Sequence, residues 1–430
     1  MAWKGAVFMY LPGQDQAVPA AQLELFEDGN ASTTSVLTYG RRYVARPDAV
    51  PIDPVGLPLS CTPGVGHEPP AGLALFGAIR DAAPDFWGRR VIEAKLKLPP
   101  NSVPESTYLL HAGTHRFGAL DFRDDIDAAE ATGLLPAVMD LDHLVQAADR
   151  IQAGLPVPAH LAMLFDVPTL GGARPKALVL HEGRQFLAKF PTQKDAFDIP
   201  LVERACLELA RQCGLQVPRT ELVSLADGRT VMLIERFDRG PLGNGRFSRR
   251  HCVSALTMLG KHEQQSLASS YEEIAQCISK DGVDGHIQAD RDELFARVAF
   301  NILVSNDDDH LRNHAFVWDP ERKGWRLSPL YDVVPHPQIA QERRLHLSLG
   351  PQGRRATLDN LLEAHGSYGL LRHAAAAIIE RVATCTREWR TRFEALGVPQ
   401  AECDRIDTAF RRPRDIGLEA VSAARVGRQR

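Results

Sequence analysis

The run Asn306-Asp307-Asp308-Asp309-His310-Leu311-Arg312-Asn313 follows an apolar stretch, Leu294–Val304, that reads as part of a helix. Nineteen positions beyond Asn313 stands Asp332, within Ser328-Pro329-Leu330-Tyr331-Asp332-Val333. Between them, Ala315–Trp318 and Trp325–Leu327 read as the two strands of a short hairpin. Such a set suits phosphoryl transfer from ATP. One carboxylate orients the acceptor hydroxyl and takes its proton, a side-chain carbonyl and a second carboxylate hold Mg²⁺ on the phosphates, and cations offset the remaining charge. Asp308 and Asn313 are five residues apart, the spacing that puts base and metal-binding amide in one loop, and Asp332 is placed as the later metal-binding carboxylate. The same letters also fit an acidic turn at a helix end, with Asp332 as an N-cap, because Asp and Asn favour turns.

Upstream, Gln185–Phe190 reads as a strand with Phe186, Ala188 and Phe190 on one face and Leu187 and Lys189 on the other. An ammonium inside an apolar strand is costly unless paired. Glu203 lies fourteen residues on, in a predicted helix Leu201–Cys213 whose Val202, Cys206, Leu209 and Cys213 share helical spacing and whose end is marked by Gly214. A strand Lys paired with a helix Glu is how kinases aim a cation at the α- and β-phosphates; an exposed strand face is the alternative. Before a short strand Ala177–Leu180 runs Thr169-Leu170-Gly171-Gly172-Ala173-Arg174-Pro175-Lys176. Its glycines permit close backbone approach to phosphates, and Lys176 adds charge. It is neither G-x-G-x-x-G nor a Walker A loop, and a plain turn fits it as well. A third strand, Val231–Glu235, ends in Arg236-Phe237-Asp238-Arg239, where a kinase hinge would fall and backbone groups of residues such as Glu235 and Phe237 would bond an adenine edge. A salt-bridged turn is the plainer alternative.

With 430 residues, 44% of them hydrophobic, the chain is long enough for two or more packed cores. A net charge of −4 supplies no global basic field and argues against non-specific nucleic-acid binding by the chain alone. No apolar run reaches bilayer length and the start lacks a signal peptide's apolar region, so a cytoplasmic protein is expected. The seven cysteines are scattered without CxxC pairing, which fits free thiols. The first ~130 residues are rich in Gly, Pro and short apolar stretches, Gly5–Tyr10, Leu23–Phe26 and Leu37–Val44 among them, with two short helices around 76–95. After residue 250 helices dominate, at 252–260, 270–279, 290–304, 357–364, 368–396 and 400–410. This is an α+β, two-lobed pattern. The expected divisions are a β-rich subdomain over 1–130, a kinase N-lobe over 131–240, a mainly helical lobe over 241–410, and a mobile tail over 411–430 containing six arginines.

Eight segments, in order, resemble the HipA family of Ser/Thr kinase toxins: GRRYVARPDAVPIDPVGLPLS (40–60), FGAIRDAAPDFWGRR (76–90), FGALDFR (117–123), GGARPKA (171–177), FLAKF (186–190), IERFDR (234–239), NDDDHLRNHAF (306–316) and SPLYDV (328–333). The resemblance covers about residues 20–340 and implies a two-lobed, protein-kinase-like fold. It implies that Asp308 is the catalytic base, that Asn313 and Asp332 hold Mg²⁺, and that Lys189 binds ATP phosphates. The Gly171–Lys176 loop would cover those phosphates, Glu235, Arg236 and Phe237 would hold adenine, and His310 would brace the catalytic loop. Thr169 takes the place of the serine whose phosphorylation switches family members off; a dianion there could not share the site with ATP phosphates. The implied partners are a HipB-like helix-turn-helix antitoxin, through which alone DNA would be met, and a protein substrate such as an aminoacyl-tRNA synthetase. Tyr331-Asp332-Val333 stands where other kinases have D-F-G. Two competing readings share parts of this pattern: a small-molecule kinase of the aminoglycoside or choline type, and a catalytically silent co-repressor subunit.

Overall fold

The computed structural model describes residues 2–29, 31–131, 135–162, 172–243 and 245–426. Thr169 and Gly171 fall outside them. The chain forms two compact units, Met1–Thr192 with Val223–His262, and Gln193–Leu222 with Glu263–Arg430. The expected boundary at 130/131 is therefore not a break between units. The second unit also takes in the helix at 199–212, which the sequence reading had grouped with the N-lobe.

The first unit holds a five-stranded antiparallel sheet in the order β4-β3-β2-β1-β5, from β1 (Ala2–Tyr10), β2 (Ala17–Asp28), β3 (Ala31–Tyr39), β4 (Gly66–His67) and β5 (Leu120–Arg123). The stretch read as Leu37–Val44 stops being strand at Tyr39, and Arg41–Val44 makes one helical turn. The tyrosine hydroxyls then gather the following loop. Tyr39 Oη donates to Leu57 O (2.8 Å) and accepts from Ile52 N (2.9 Å), while Tyr43 Oη donates to Val50 O (2.7 Å) and accepts from Val50 N (3.1 Å).

A second sheet has the order β6-β7-β9-β8, with β6 (Lys176–His181), β7 (Arg184–Lys189), β8 (Thr220–Ser224) and β9 (Thr230–Glu235). Glu182 (φ 49°) and Gly183 (φ 70°) join β6 to β7. Two positive φ values in a two-residue loop match the twist of paired strands. The alternation read in β7 holds. Phe186, Ala188 and Phe190 enter a core with Ala177, Val179, Val231 and Leu233, packed on Trp87 and Val91 of the helix Phe86–Leu96 and on Leu141, Leu144, Val145 and Ala148 of the helix Leu141–Gln152.

The segments 117–123 and 234–239, separate in sequence, meet in a buried ionic knot. Asp238 accepts from Arg236 Nε (2.9 Å), Arg236 Nη2 (2.7 Å), Arg239 Nη1 (2.9 Å) and Gly118 N (2.8 Å), and Arg236 also donates to the carbonyls of His115 and Arg116. Burial alone would raise the Asp238 carboxyl, but Arg236 and Arg239 hold it down at about 2.

The second unit is mainly helical. The helix Ile287–Val304 is buried from Leu294 to Val304 and packs against the helices Tyr271–Asp281 and Arg372–Thr386. The helix read at 368–396 is broken, into Arg372–Thr386 and Trp389–Ala395, and the one read at 252–260 is a strand, Cys252–Ser254, with a helical turn, Ala255–Met258. Residues 411–426 are not a tail. Arg411 N donates to Leu303 O (2.8 Å), a helix spans Leu418–Val426, and Ile416, Leu418 and Val421 are buried. Arginine content hid three apolar anchors too sparse to mark a helix. Among the described residues, no helix is long and apolar enough to cross a membrane.

Candidate active site

In the second unit, Ser305 ends the long helix in the left-handed conformation (φ 51°), and the three aspartates that follow meet three different fates. Asp309 is buried. Its Oδ2 accepts from Tyr271 Oη (2.7 Å), Asn301 Nδ2 (2.7 Å) and His314 Nε2 (3.0 Å), all of them buried. Each donor is itself fixed. Tyr271 opens a helix with a capping box, Ser270 and Glu273 each accepting from the other's backbone N–H (3.2 and 2.9 Å). Asn301 belongs to the long helix and its Oδ1 accepts from Asn306 Nδ2 (3.1 Å). Burial raises the Asp309 carboxyl, but His314 and these hydrogen bonds leave it below the usual carboxylate range. Nothing in the spacing of Tyr271, Asn301, Asp309 and His314 announces this cluster, and the sequence reading missed it.

Asp307 is half-buried and accepts from His336 Nδ1 and Gln338 Nε2. The hydrogen bond to Asp307 raises His336 above its ordinary value, and His336 in turn outweighs burial to lower Asp307. The raised His336 contributes stability that is complete below its ordinary pKa of 6.5 and is lost as pH rises through its folded value; the lowered Asp307 contributes stability present above 3.8 and lost as pH falls through its folded value. His336→Ala should therefore destabilise the protein more at pH 6 than at pH 8.5. Urea midpoints of both proteins at the two pH values check this, and an equal loss at both would refute the pairing.

Asp308 is exposed, and among the described residues its carboxylate has no hydrogen-bond partner. Its carbonyl oxygen accepts from His310 N (2.9 Å) and from Asn313 Nδ2 (3.1 Å). The Asn313 amide is thus oriented with Nδ2 occupied and Oδ1 available to a cation. His310 packs edge-on against His346 (5.8 Å between ring centres), and Ser266 Oγ, which contacts His346 Nε2 (3.1 Å), also accepts from Leu311 N (3.3 Å).

The hairpin Ala315–Asp319/Gly324–Leu327 delivers Asp332. Arg326 forms a two-pronged pair with the buried Asp290 (2.8 and 2.9 Å), Ser328 N donates to Ala315 O (2.8 Å), and Tyr331 Oη donates to Arg312 O (2.8 Å), beside Asn313. Asp332 is half-buried with φ 61°, a left-handed conformation uncommon outside glycine and least costly for Asn and Asp. Asn313 and Asp332 supply hard oxygen donors, the kind Mg²⁺ takes. Glu203 is buried on the helix Ile199–Gln212, whose start is capped by Asp198 accepting from Leu201 N (3.1 Å).

In the first unit, Lys189 is half-buried on β7, directly opposite Lys176 on β6 and Met232 on β9. Like charges face to face would repel. Lys176 is buried and turned to Asp85 Oδ2 (3.3 Å), while its carbonyl accepts from Trp87 Nε1 (2.8 Å). Its ammonium, expected at the phosphates, is thus engaged inside the unit. Gly172 is exposed with φ 108°, a conformation that favours glycine, and a Cβ there would lie 2.5 Å from Lys176 Nζ and displace it. Ala173 is exposed, Arg174 half-buried and Pro175 buried. Arg236 N donates to Gln185 O (2.9 Å) and its guanidinium is engaged in the ionic knot. Glu235 pairs with Arg184, and Phe237 packs edge-on against Phe117 (6.1 Å).

The family described as HipA-like C-terminal domain matches residues 168–389, more than half of the chain. A "Putative kinase" of Haemophilus influenzae is 30% identical over 159 residues (34% of this chain, 45% of that protein). The serine/threonine-protein kinase toxin HipA of Shewanella oneidensis is 24% identical over 187 residues (39% and 42%). The chain spans about half the length of the curated relatives it matches. A solved structure of Shewanella oneidensis HipA with HipB and operator DNA covers 97% of this chain and 99% of that one, at 17% identity and a TM-score of 0.69. The α+β, kinase-like architecture expected from the sequence is borne out by this likeness in fold, and by its match over residues 168–389 the chain belongs to the HipA-like C-terminal domain family.

Proposed function

We propose that the chain is an ATP- and Mg²⁺-dependent protein serine/threonine kinase acting as the toxin of a HipBA-type pair. The observation that carries this reading is the division of labour among the three aspartates: Asp307 and Asp309 are consumed in holding the loop, and Asp308 alone presents an unengaged carboxylate, five residues from an asparagine whose amide oxygen is reserved. In this reading Asp308 orients the acceptor hydroxyl and receives its proton. Asn313 and Asp332 hold Mg²⁺, which neutralises charge on the phosphates. Lys189 binds phosphate oxygens, with Glu203 as its proposed steadying carboxylate. The backbone of Glu235–Phe237 holds adenine, and the loop from Gly171 covers the phosphates with Thr169 as a site of autophosphorylation. The HipB and operator DNA of the Shewanella assembly support a HipB-like antitoxin as partner. The proposed substrate, a translation component such as an aminoacyl-tRNA synthetase, rests on the sequence resemblance alone.

The test is intact mass spectrometry of the full chain before and after Mg²⁺–ATP, with phosphosite mapping. Phosphate on the chain, or on an added protein acceptor, supports the reading. Transfer only to small acceptors would replace it with a small-molecule kinase, and ATP binding without any transfer would replace it with a silent co-repressor. Asp332→Ala is expected to weaken Mg²⁺–ATP binding roughly 10–100-fold by calorimetry; unchanged affinity would remove Asp332 from the metal site.

A further inference from the structure

Outside the site just described, the second unit brings two thiols together. Cys213 closes the helix Ile199–Gln212 and Cys385 sits in the last turn of the helix Arg372–Thr386. Each sulfur reaches across to the other's helix: Cys213 Sγ lies 4.0 Å from Val382 O, and Cys385 Sγ 4.0 Å from Leu209 O. The two thiols lie near enough to shift each other's ionisation, Cys213 upward and Cys385 downward. Cys213 is buried, but Cys385 is half-buried and lines an open cleft of about 630 Å³ together with Arg381, Arg387, Arg392 and Arg425, and with Glu380 and Glu388. The guanidinium of Arg392 lies over this cleft with its Nη2 on Glu388 (2.6 Å) and its Nε buried without a partner. One thiol is therefore open to a small molecule, in a surround with four cations and two anions, and its neighbour is poised behind it.

We propose that Cys385 and Cys213 are a nucleophilic and a resolving thiol, a reversible modification site for a small anionic disulfide of the glutathione type. The neighbouring Cys213, with Arg392 and Arg381 assisting against burial and Glu388, lowers the Cys385 thiol below its ordinary value and so raises its thiolate fraction near neutral pH. That thiolate attacks one sulfur of glutathione disulfide. The glutathione S–S bond breaks, a mixed disulfide forms on Cys385, and one glutathione thiolate departs and takes a proton from solvent. Cys213 loses its proton to solvent and attacks Cys385 Sγ, the mixed disulfide breaks, and the second glutathione thiolate leaves and is protonated. Two protein thiols are oxidised and one glutathione disulfide is reduced to two glutathiones. The product clamps the end of the helix that carries Glu203 to the helix Arg372–Thr386. The thiol chemistry stands independently of the kinase reading.

The internal reference is Cys61, also half-buried, whose thiol burial pushes up. On the full-length wild type at pH 7, limiting iodoacetamide should label Cys385 roughly five- to tenfold faster than Cys61, the gain in thiolate being partly offset by lower intrinsic nucleophilicity. After incubation with oxidised glutathione, acid quenching and non-reducing peptide mapping, a Cys213–Cys385 disulfide is expected, reversed by dithiothreitol. C213S should stop at the Cys385–glutathione adduct. Labelling of Cys385 no faster than Cys61, or both thiols still free after oxidised glutathione has reacted elsewhere, would overturn the proposal. These readouts are masses of the protein itself, so an inactive kinase with a formed disulfide, or an active one without it, separates the two conclusions.

Discussion

Replacing Asp309 by alanine is expected to destabilise the second unit by about 3–5 kcal/mol, the range for breaking a buried, charge-bearing network by deleting one member. Tyr271, Asn301 and His314 would keep their burial and lose their common acceptor at once. The three contributions do not add, because the donors share one oxygen and its loss frees them to relax together. Asp309→Asn retains a carbonyl oxygen of the same shape and should lose less. Denaturant midpoints measure both, and a loss below about 1 kcal/mol for the alanine variant would mean that the network is not a structural centre.

Asp308→Ala should do the reverse. The residue is exposed and its side chain has no partner among the described residues, so stability should stay within about 0.5 kcal/mol of wild type. Loss of a positioned base should cost phosphoryl transfer about 10²–10⁴-fold. Adjacent residues, one silent in folding and decisive in turnover, the other the opposite, make a contrast that a simple acidic turn would not produce. Turnover retained by Asp308→Ala would end the assignment of the base.

The sequence disclosed the elements better than their partnerships. Alternation in Phe186–Phe190 and helical spacing in Val202–Cys213 were readable because period is a local property, and both appear as strand and helix. The five-residue interval between Asp308 and Asn313 was readable for the same reason. What was hidden depends on contacts between distant positions. Asp309 is held by residues 8 and 38 positions before it and 5 after it, and Lys176 is matched to a carboxylate 91 positions away. Composition misled at 411–426, where arginines outnumber the few apolar residues that dock the segment.

The pairing of Lys176 with Asp85 bears on how far the chain can be shortened. A fragment beginning near residue 131 would keep every residue proposed for catalysis and lose Asp85, Trp87 and Val91 together. It would remove the carboxylate to which the buried Lys176 ammonium is turned and strip one wall from the core beneath β6 and β7, and it would leave Arg236 and Asp238 without the backbone of residues 115–118. The N-terminal portion is thus a structural half of the lobe rather than a detachable accessory. Gene truncation, fragment expression and evolutionary loss of that portion should all meet the same barrier, unless another polypeptide restores those contacts in trans.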